Sequence, residues 1–226
     1  MLLCPCSRGL SSPICCWSQG SRPGRKARAR SHAICMMENI LIRPVTSDKD
    51  LDDFRSITRA YLGWLGEDLG FQGVERELAS LPGAYAADRG GSVLLAYPAT
   101  PMISPHHQHC DDCDELSASP IGAVALRCLT GHHLPDVHSI NDVSIHQVCE
   151  MKRLFVLPEH QRQGVGAALI AGIAEEARKL GYKAIVLDTL ERLHGANKLY
   201  RSLGFANCQR YNDCPLPGVL YFMLQL

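Results

Sequence analysis

A glycine-rich turn, Gln161-Arg162-Gln163-Gly164-Val165-Gly166, joins an apolar strand-like segment to a helix-like one. The strand runs from Met151 to Leu157 and is closed by Pro158; the helix runs from Val165 to Leu180 and is closed by Gly181. The two glycines remove Cβ atoms, so backbone can approach a ligand closely, and the helix start offers unpaired N–H groups at the positive end of its dipole. That combination suits the phosphates of a nucleotide-like cofactor. The spacing excludes two common ones. No third glycine follows Gly166 in the dinucleotide register, and no Lys-Ser or Lys-Thr pair follows the turn as a P-loop requires. What remains is Q-x-x-G-x-G, which taken alone suits a ligand site and a structural turn equally.

The neighbouring segments give the order of elements. Asn39 to Arg43 reads as a strand, and Ser47 with Asp50 three residues later is a helix-start signal. Leu51, Phe54, Ile57, Tyr61 and Leu65 then recur at helical spacing, and a second helical stretch covers Val74 to Leu81. Strands follow at Ser92 to Tyr97, Ile121 to Leu129 and Val148 to Leu157, with polar inserts near 100–120 and 131–146. In the helix after the turn, Val165, Leu169, Ile173, Ala177 and Leu180 form one apolar face. Ala184 to Leu187 is a buried strand, Gly195 to Leu203 a helix, and Phe205 to Tyr211 and Leu220 to Leu226 are the last two strands. The expected class is α+β, one mixed sheet of about seven strands flanked by about four helices, in the order β-α-α-β-β-β-α-β-α-β-β.

Residues 1–37 differ from the rest. They hold six basic side chains and no acid, so the remaining chain carries 17 basic against 23 acidic groups, a net of −6. An acidic body argues against a nucleic-acid partner. The tail is rich in Ser, Pro, Gly and Cys without helical or strand period, and reads as an extension outside the domain of residues 38–226. Its acid-free composition suits a transit peptide, while Met36 and Met37 directly before the first strand suit an over-extended start. The location expected is cytoplasmic, or mitochondrial or plastid in the transit-peptide case. No apolar run reaches the roughly 18 residues of a membrane span. The eleven cysteines form no evident disulfide framework, and a chain of this size needs none.

The order of elements and two motifs at this separation, Gln161 to Gly166 and Leu199-Tyr200-Arg201-Ser202-Leu203-Gly204-Phe205, with a strand and a helix between them, resemble the GCN5-related N-acetyltransferases over residues 38–226. The strings Cys149 to Val156 and Leu187-Asp188-Thr189-Leu190 are similar to a bacterial and fungal subgroup without a defined substrate. The resemblance implies acetyl-coenzyme A as donor, with its pyrophosphate on the turn. Gln161, Arg162, Gln163, Gly164, Val165, Gly166 and Ala167 would meet the phosphates, and the backbone of Leu154, Phe155 and Val156 would pair with the pantetheine arm. Many members place an asparagine seven residues before the tyrosine, where this chain has Leu193; Asn197, in another register, is the candidate for that contact.

By the same resemblance Tyr200 protonates the leaving thiolate, the acceptor being an amine of a small molecule or peptide that attacks directly in a ternary complex. The bland alternative is that Tyr200 packs beside Phe205. Glu150 is the candidate base; strand alternation puts it on one face with Lys152, Leu154 and Val156, where it equally suits an ion pair. No metal is expected. The stretch His106 to Cys113 contains a C-x-x-C with three upstream histidines, which a solvated insert explains more simply than zinc. A non-catalytic acyl-coenzyme A-binding protein and a metal-organised interaction module are the competing readings. Neither the acceptor's identity nor the oligomeric state is written in the sequence, a homodimer being open.

Overall fold

The structure is a computed structural model that describes residues 36–37, 39–99 and 119–226. The N-terminal extension before Met36 and the His106 to Cys113 insert lie outside the described residues. In chain order the elements are β1 (Met36–Met37), β2 (Ile40–Pro44), α1 (Asp48–Leu65), α2 (Val74–Ala79), β3 (Ser92–Pro98), β4 (Gly122–Cys128), β5 (Ser139–Ile140) and β6 (Val143–Ser144). They continue with β7 (Val148–Val156), α3 (Val165–Lys179), β8 (Ala184–Leu190), α4 (His194–Ser202), β9 (Ala206–Asn207) and β10 (Val219–Gln225). Eight strands form one sheet in the order β1-β2-β3-β4-β7-β8-β10-β9, all antiparallel except the β7–β8 pair.

The α+β class and the order of the larger elements match expectation, and the differences are local. β5 and β6 form a hairpin inside the supposed polar insert. Its turn residues Asn141 and Asp142 both have positive φ, 45° and 68°, the geometry of a tight two-residue hairpin. The hairpin is anchored by Ile140, fully buried with Val148 and Tyr211. The strand expected over Phe205 to Tyr211 shortens to Ala206–Asn207, because the Tyr211 carbonyl accepts from the Leu134 N–H and draws the chain off the sheet. Leu180, expected on the buried face of α3, lies past the helix end and is exposed.

α1 begins where the cap signal lies. Asp50 N–H donates to Ser47 Oγ at 3.2 Å and Ser47 N–H to Asp50 Oδ2 at 3.1 Å, so two otherwise unpaired donors are satisfied reciprocally. Gly66, at φ 69°, ends the helix in the left-handed conformation that glycine adopts without a Cβ penalty. α1 buries Phe54 and Ile57 on one side of the sheet, against Ala123, Ala125 and Phe155. α3 buries Leu169, Ile170 and Ile173 on the other, against Val124, Leu126 and Met151.

Two irregularities in β7 create the site. β7 pairs with β8 only through Val148↔Ala184, Cys149↔Ile185 and Glu150↔Val186, although β7 continues to Val156 and β8 to Leu190. On its other edge β7 slips register against β4: Lys152 faces Ala125, yet Phe155 faces Ala123. Arg153, at φ 56°, occupies that bulge. A bulge bends and over-twists its strand, and here β7 leaves β8 just before it. The extra residue also reverses the alternation. Glu150, Lys152 and Phe155 share the α1 side, whereas Met151, Leu154 and Val156 share the α3 side. Unbroken alternation had wrongly grouped Glu150 and Lys152 with Leu154 and Val156.

Candidate active site

The diverging halves of β7 and β8 enclose a cavity of about 790 Å³, walled further by α1, the start of α3 and α4. Along one wall the edge of β7 from Met151 to Phe155 has no strand partner. Unpaired backbone groups at a sheet edge are a template for an extended ligand.

At one end of the cavity stands the glycine turn. Arg162 and Gly164 adopt left-handed φ values of 61° and 86°. The first helical bond of α3 runs from Ala168 N–H to the Gly164 carbonyl, 3.0 Å, so the N–H groups of Val165, Gly166 and Ala167 precede any helical partner. Gln161 staples the turn to the strand through Nε2 to the Val156 carbonyl, 3.0 Å, and Gln163 Nε2 binds the Glu159 carbonyl at the same distance. Gly166 has a second task. A Cβ there would stand 3.2 Å from Leu199 Cδ2, so the glycine lets α3 approach α4 closely.

Tyr200 lies on α4 with its ring against Phe205 and Phe222, centroids 5.7 and 6.0 Å away, and it also lines the cavity. Packing beside Phe205 and facing the cavity are thus both realised. Burial first, then Tyr61 and Asp188, push the phenol well above its ordinary value. The proton therefore stays on Tyr200 through neutral pH.

Glu150 stands behind the cavity wall and does not line it. Its carboxylate is fully buried and accepts from Arg127 Nε at 2.8 Å and Nη2 at 2.6 Å, and from Tyr211 Oη at 3.2 Å, with Lys152 Nζ 3.4 Å away. Lys152 in turn donates to Asp188 Oδ1 at 3.0 Å, and both of these reach the cavity. Burial alone would lower the Lys152 ammonium, but Asp188 and Glu150 outweigh it and hold it above its ordinary value. Burial alone would likewise raise Asp188; Lys152 outweighs it and holds the carboxyl below the usual range.

Of the residues expected to hold a cofactor, Leu154, Phe155, Val156, Gln161, Arg162, Gly164, Gly166 and Ala167 come together around the cavity. Gln163 and Val165 are not in its lining, Val165 being buried in the core on the α3 side. Asn197 is not there either. Its Nδ2 donates to the carbonyls of Leu190 and Glu191, both 3.0 Å, so it braces the β8–α4 connection while the apolar Leu193 occupies the wall. The sequence reading missed Asp188, Tyr61 and Trp64, which all line the cavity. Tyr61 and Trp64 carried a signal in their helical spacing, whereas Asp188 meets Lys152 only through the parallel β7–β8 contact. Among the described residues no group of three or more His, Cys, Asp or Glu side chains is placed to hold a metal, and no helix is long and apolar enough to cross a membrane.

Unpaired N–H groups at a helix start, a neighbouring Arg162 and an open strand edge within one cavity fit an acyl-coenzyme A with a phosphate end and an amide-bearing arm. Known proteins agree. The profile of the acetyltransferase (GNAT) family matches residues 104–205. An uncharacterized N-acetyltransferase of Schizosaccharomyces pombe is 33% identical over 188 residues, covering 83% of this chain and 96% of the relative. Among solved structures, an acetyltransferase from Streptococcus agalactiae superposes with a TM-score of 0.58 at 15% identity, covering 84% of this chain and all of the other. A Salmonella typhimurium acetyltransferase solved with its cofactor acetyl-CoA gives 0.52 at 18%, over 83% and 94%. The chain belongs to the GNAT family: it is an N-acetyltransferase, with acetyl-coenzyme A as its acetyl donor.

Proposed function

We propose that the protein transfers the acetyl group to a primary amine of a small molecule or peptide by direct attack in a ternary complex. The observation that carries this reading is the wedge itself, with helix-start donors at one end, the open β7 edge along its side and a protonated tyrosine in its wall. Acetyl-coenzyme A supplies an acetyl thioester. The N–H groups of Gly164 to Ala167 and the Arg162 guanidinium hold its phosphates, and the β7 edge at Leu154 to Val156 aligns its arm.

Tyr200 keeps a proton on Oη for the departing sulfur. An ordinary phenol lies only about 1.5 units above an ordinary thiol. Burial of Tyr200 raises the phenol further, so the proton leaves it only as full thiolate charge develops on the sulfur. Covalent catalysis through cysteine lacks support. Cys149 is fully buried with its thiol against the Ala184 carbonyl, and Cys214 lines the cavity, but burial pushes both thiols up and away from the reactive thiolate.

Replacing Tyr200 by Phe tests the assignment. Turnover, read as thiol release, should fall by about 10²-fold while coenzyme A affinity by calorimetry is retained. An unchanged turnover removes Tyr200 from the chemistry. Coenzyme A binding without thiol release for any amine would identify the non-catalytic binder instead.

A further inference from the structure

The cavity wall on the α1 side, away from the glycine turn that opens α3, has a composition that discriminates between amines. Tyr61 and Trp64 of α1 lean on Phe155 of β7, with centroids 5.6 and 5.5 Å away. Trp64 is 49% exposed even so, although it lines the cavity. A large aromatic ring left half-uncovered beside a cavity is apolar surface that a ligand can bury. Leu69, Leu216 and Val219 continue the same wall.

The charges point the same way. Asp188 is the one acidic side chain in the described lining, and Lys152 already neutralises it. The lining also carries Arg153 and Arg192, each tied to a glutamate, Glu77 and Glu67 respectively. Every one of these charges is already paired, so an amine bearing further positive charges would find no free acid here. A single amine on an uncharged body meets no such conflict. Its protonated form is disfavoured by the apolar walls and by the Lys152 ammonium. The free base needed for attack is therefore favoured without a strong catalytic base, and Asp188 remains as a hydrogen-bond acceptor for the N–H groups.

Resting on the acetyltransferase reading above, we infer that the acceptor is a primary arylalkylamine: its ring lies on Tyr61, Trp64 and Phe155, and its nitrogen is met by Asp188. The same lining offers the extra charges of polyamines and lysine-rich peptides no free acid.

The test uses the full chain with 2-phenylethylamine, ethylamine and spermidine, read as thiol release at saturating acetyl-coenzyme A. One buried methylene already gives about 10-fold or more in kcat/KM, so 2-phenylethylamine should exceed both other amines by at least about 100-fold. Trp64→Ala should cut the ratio of 2-phenylethylamine to ethylamine by about 10-fold, and Asp188→Asn should raise the KM for 2-phenylethylamine. Calorimetric binding of 2-phenylethylamine to the protein, weakened several-fold by Trp64→Ala, reads the subsite without turnover. Spermidine as the best acceptor, an amine ratio unmoved by Trp64→Ala, or no binding of 2-phenylethylamine would each overturn the inference. Failure of the acetyltransferase reading looks different: no thiol release with any amine, while 2-phenylethylamine still binds and depends on Trp64.

Discussion

Glu150→Gln separates a catalytic base from a structural brace. Glu150 and Asp188 together balance Arg127 and Lys152, four charges joined by contacts of 2.6 to 3.4 Å. Glutamine is isosteric but removes one negative charge, leaving the cluster a net buried cation. Removing one partner of a buried pair costs about 3–5 kcal/mol. The glutamine oxygen can still accept from Arg127, so the lower figure, about 3 kcal/mol, applies. For a domain of this size that is a fall in Tm of about 6–12 °C. Thermal unfolding followed by circular dichroism measures it. Initial rates, taken well below the variant's Tm, should stay within about tenfold of the parent, because Glu150 does not reach the cavity. A Tm unchanged within about 2 °C, with kcat down by 10²–10⁴, roughly the contribution of a general base, would refute the brace and make Glu150 the base.

Two further outcomes follow from the same charges. Asp50 is held down at about 2, because Arg43, the Thr46 N–H and the Ser47 side chain outweigh its burial, and Asp188 and Glu77 also lie below the usual carboxylate range. Their folded values being depressed, the stability they contribute is complete above the unfolded value near about 4 and is lost as pH falls toward about 2; the urea midpoint should drop across that window, and less steeply in Asp50→Asn. Arg153→Ala removes a guanidinium that grips Glu77 at 2.9 and 3.0 Å and Gln72 at 3.1 Å, and breaking that buried pair should cost about 3–5 kcal/mol by urea titration.

What could be read from the sequence was whatever has a local cause. The Ser47–Asp50 cap, the apolar spacing of α1 and α3, and the glycine turn all act within one or two helical turns. The role of Tyr200 and the cofactor assigned to the turn came through a family motif, not through geometry. What could not be read depends on contacts distant in sequence. The bulge at Arg153 has no residue signature, since arginine is an unusual occupant of positive φ, yet it decides which side chains of β7 face which way. That is why Glu150 was expected beside Leu154 and Val156. Asp188 is 36 residues from Lys152, and only the short β7–β8 pairing unites them. Asn197 was the candidate for the contact that many family members make through an asparagine at the position of Leu193, and its Nδ2 binds the Leu190 and Glu191 carbonyls instead, a pairing that no sequence spacing announces.

The bulge also links the two halves of the site. A non-glycine residue at positive φ carries strain of about 1–3 kcal/mol, which the surroundings of Arg153 must offset. They do so through its three hydrogen bonds to Glu77 on α2 and to Gln72 just before it. Those two residues belong to the segment that follows α1, next to the wall formed by Tyr61, Trp64 and Leu69. The inserted residue lies just beyond the point where β7 leaves β8, and its side chain ties the freed part of β7 to the wall proposed for the acceptor. Arg153 thus joins the open edge of β7 to the segment after α1, so a change at this one side chain should disturb both walls of the cavity together.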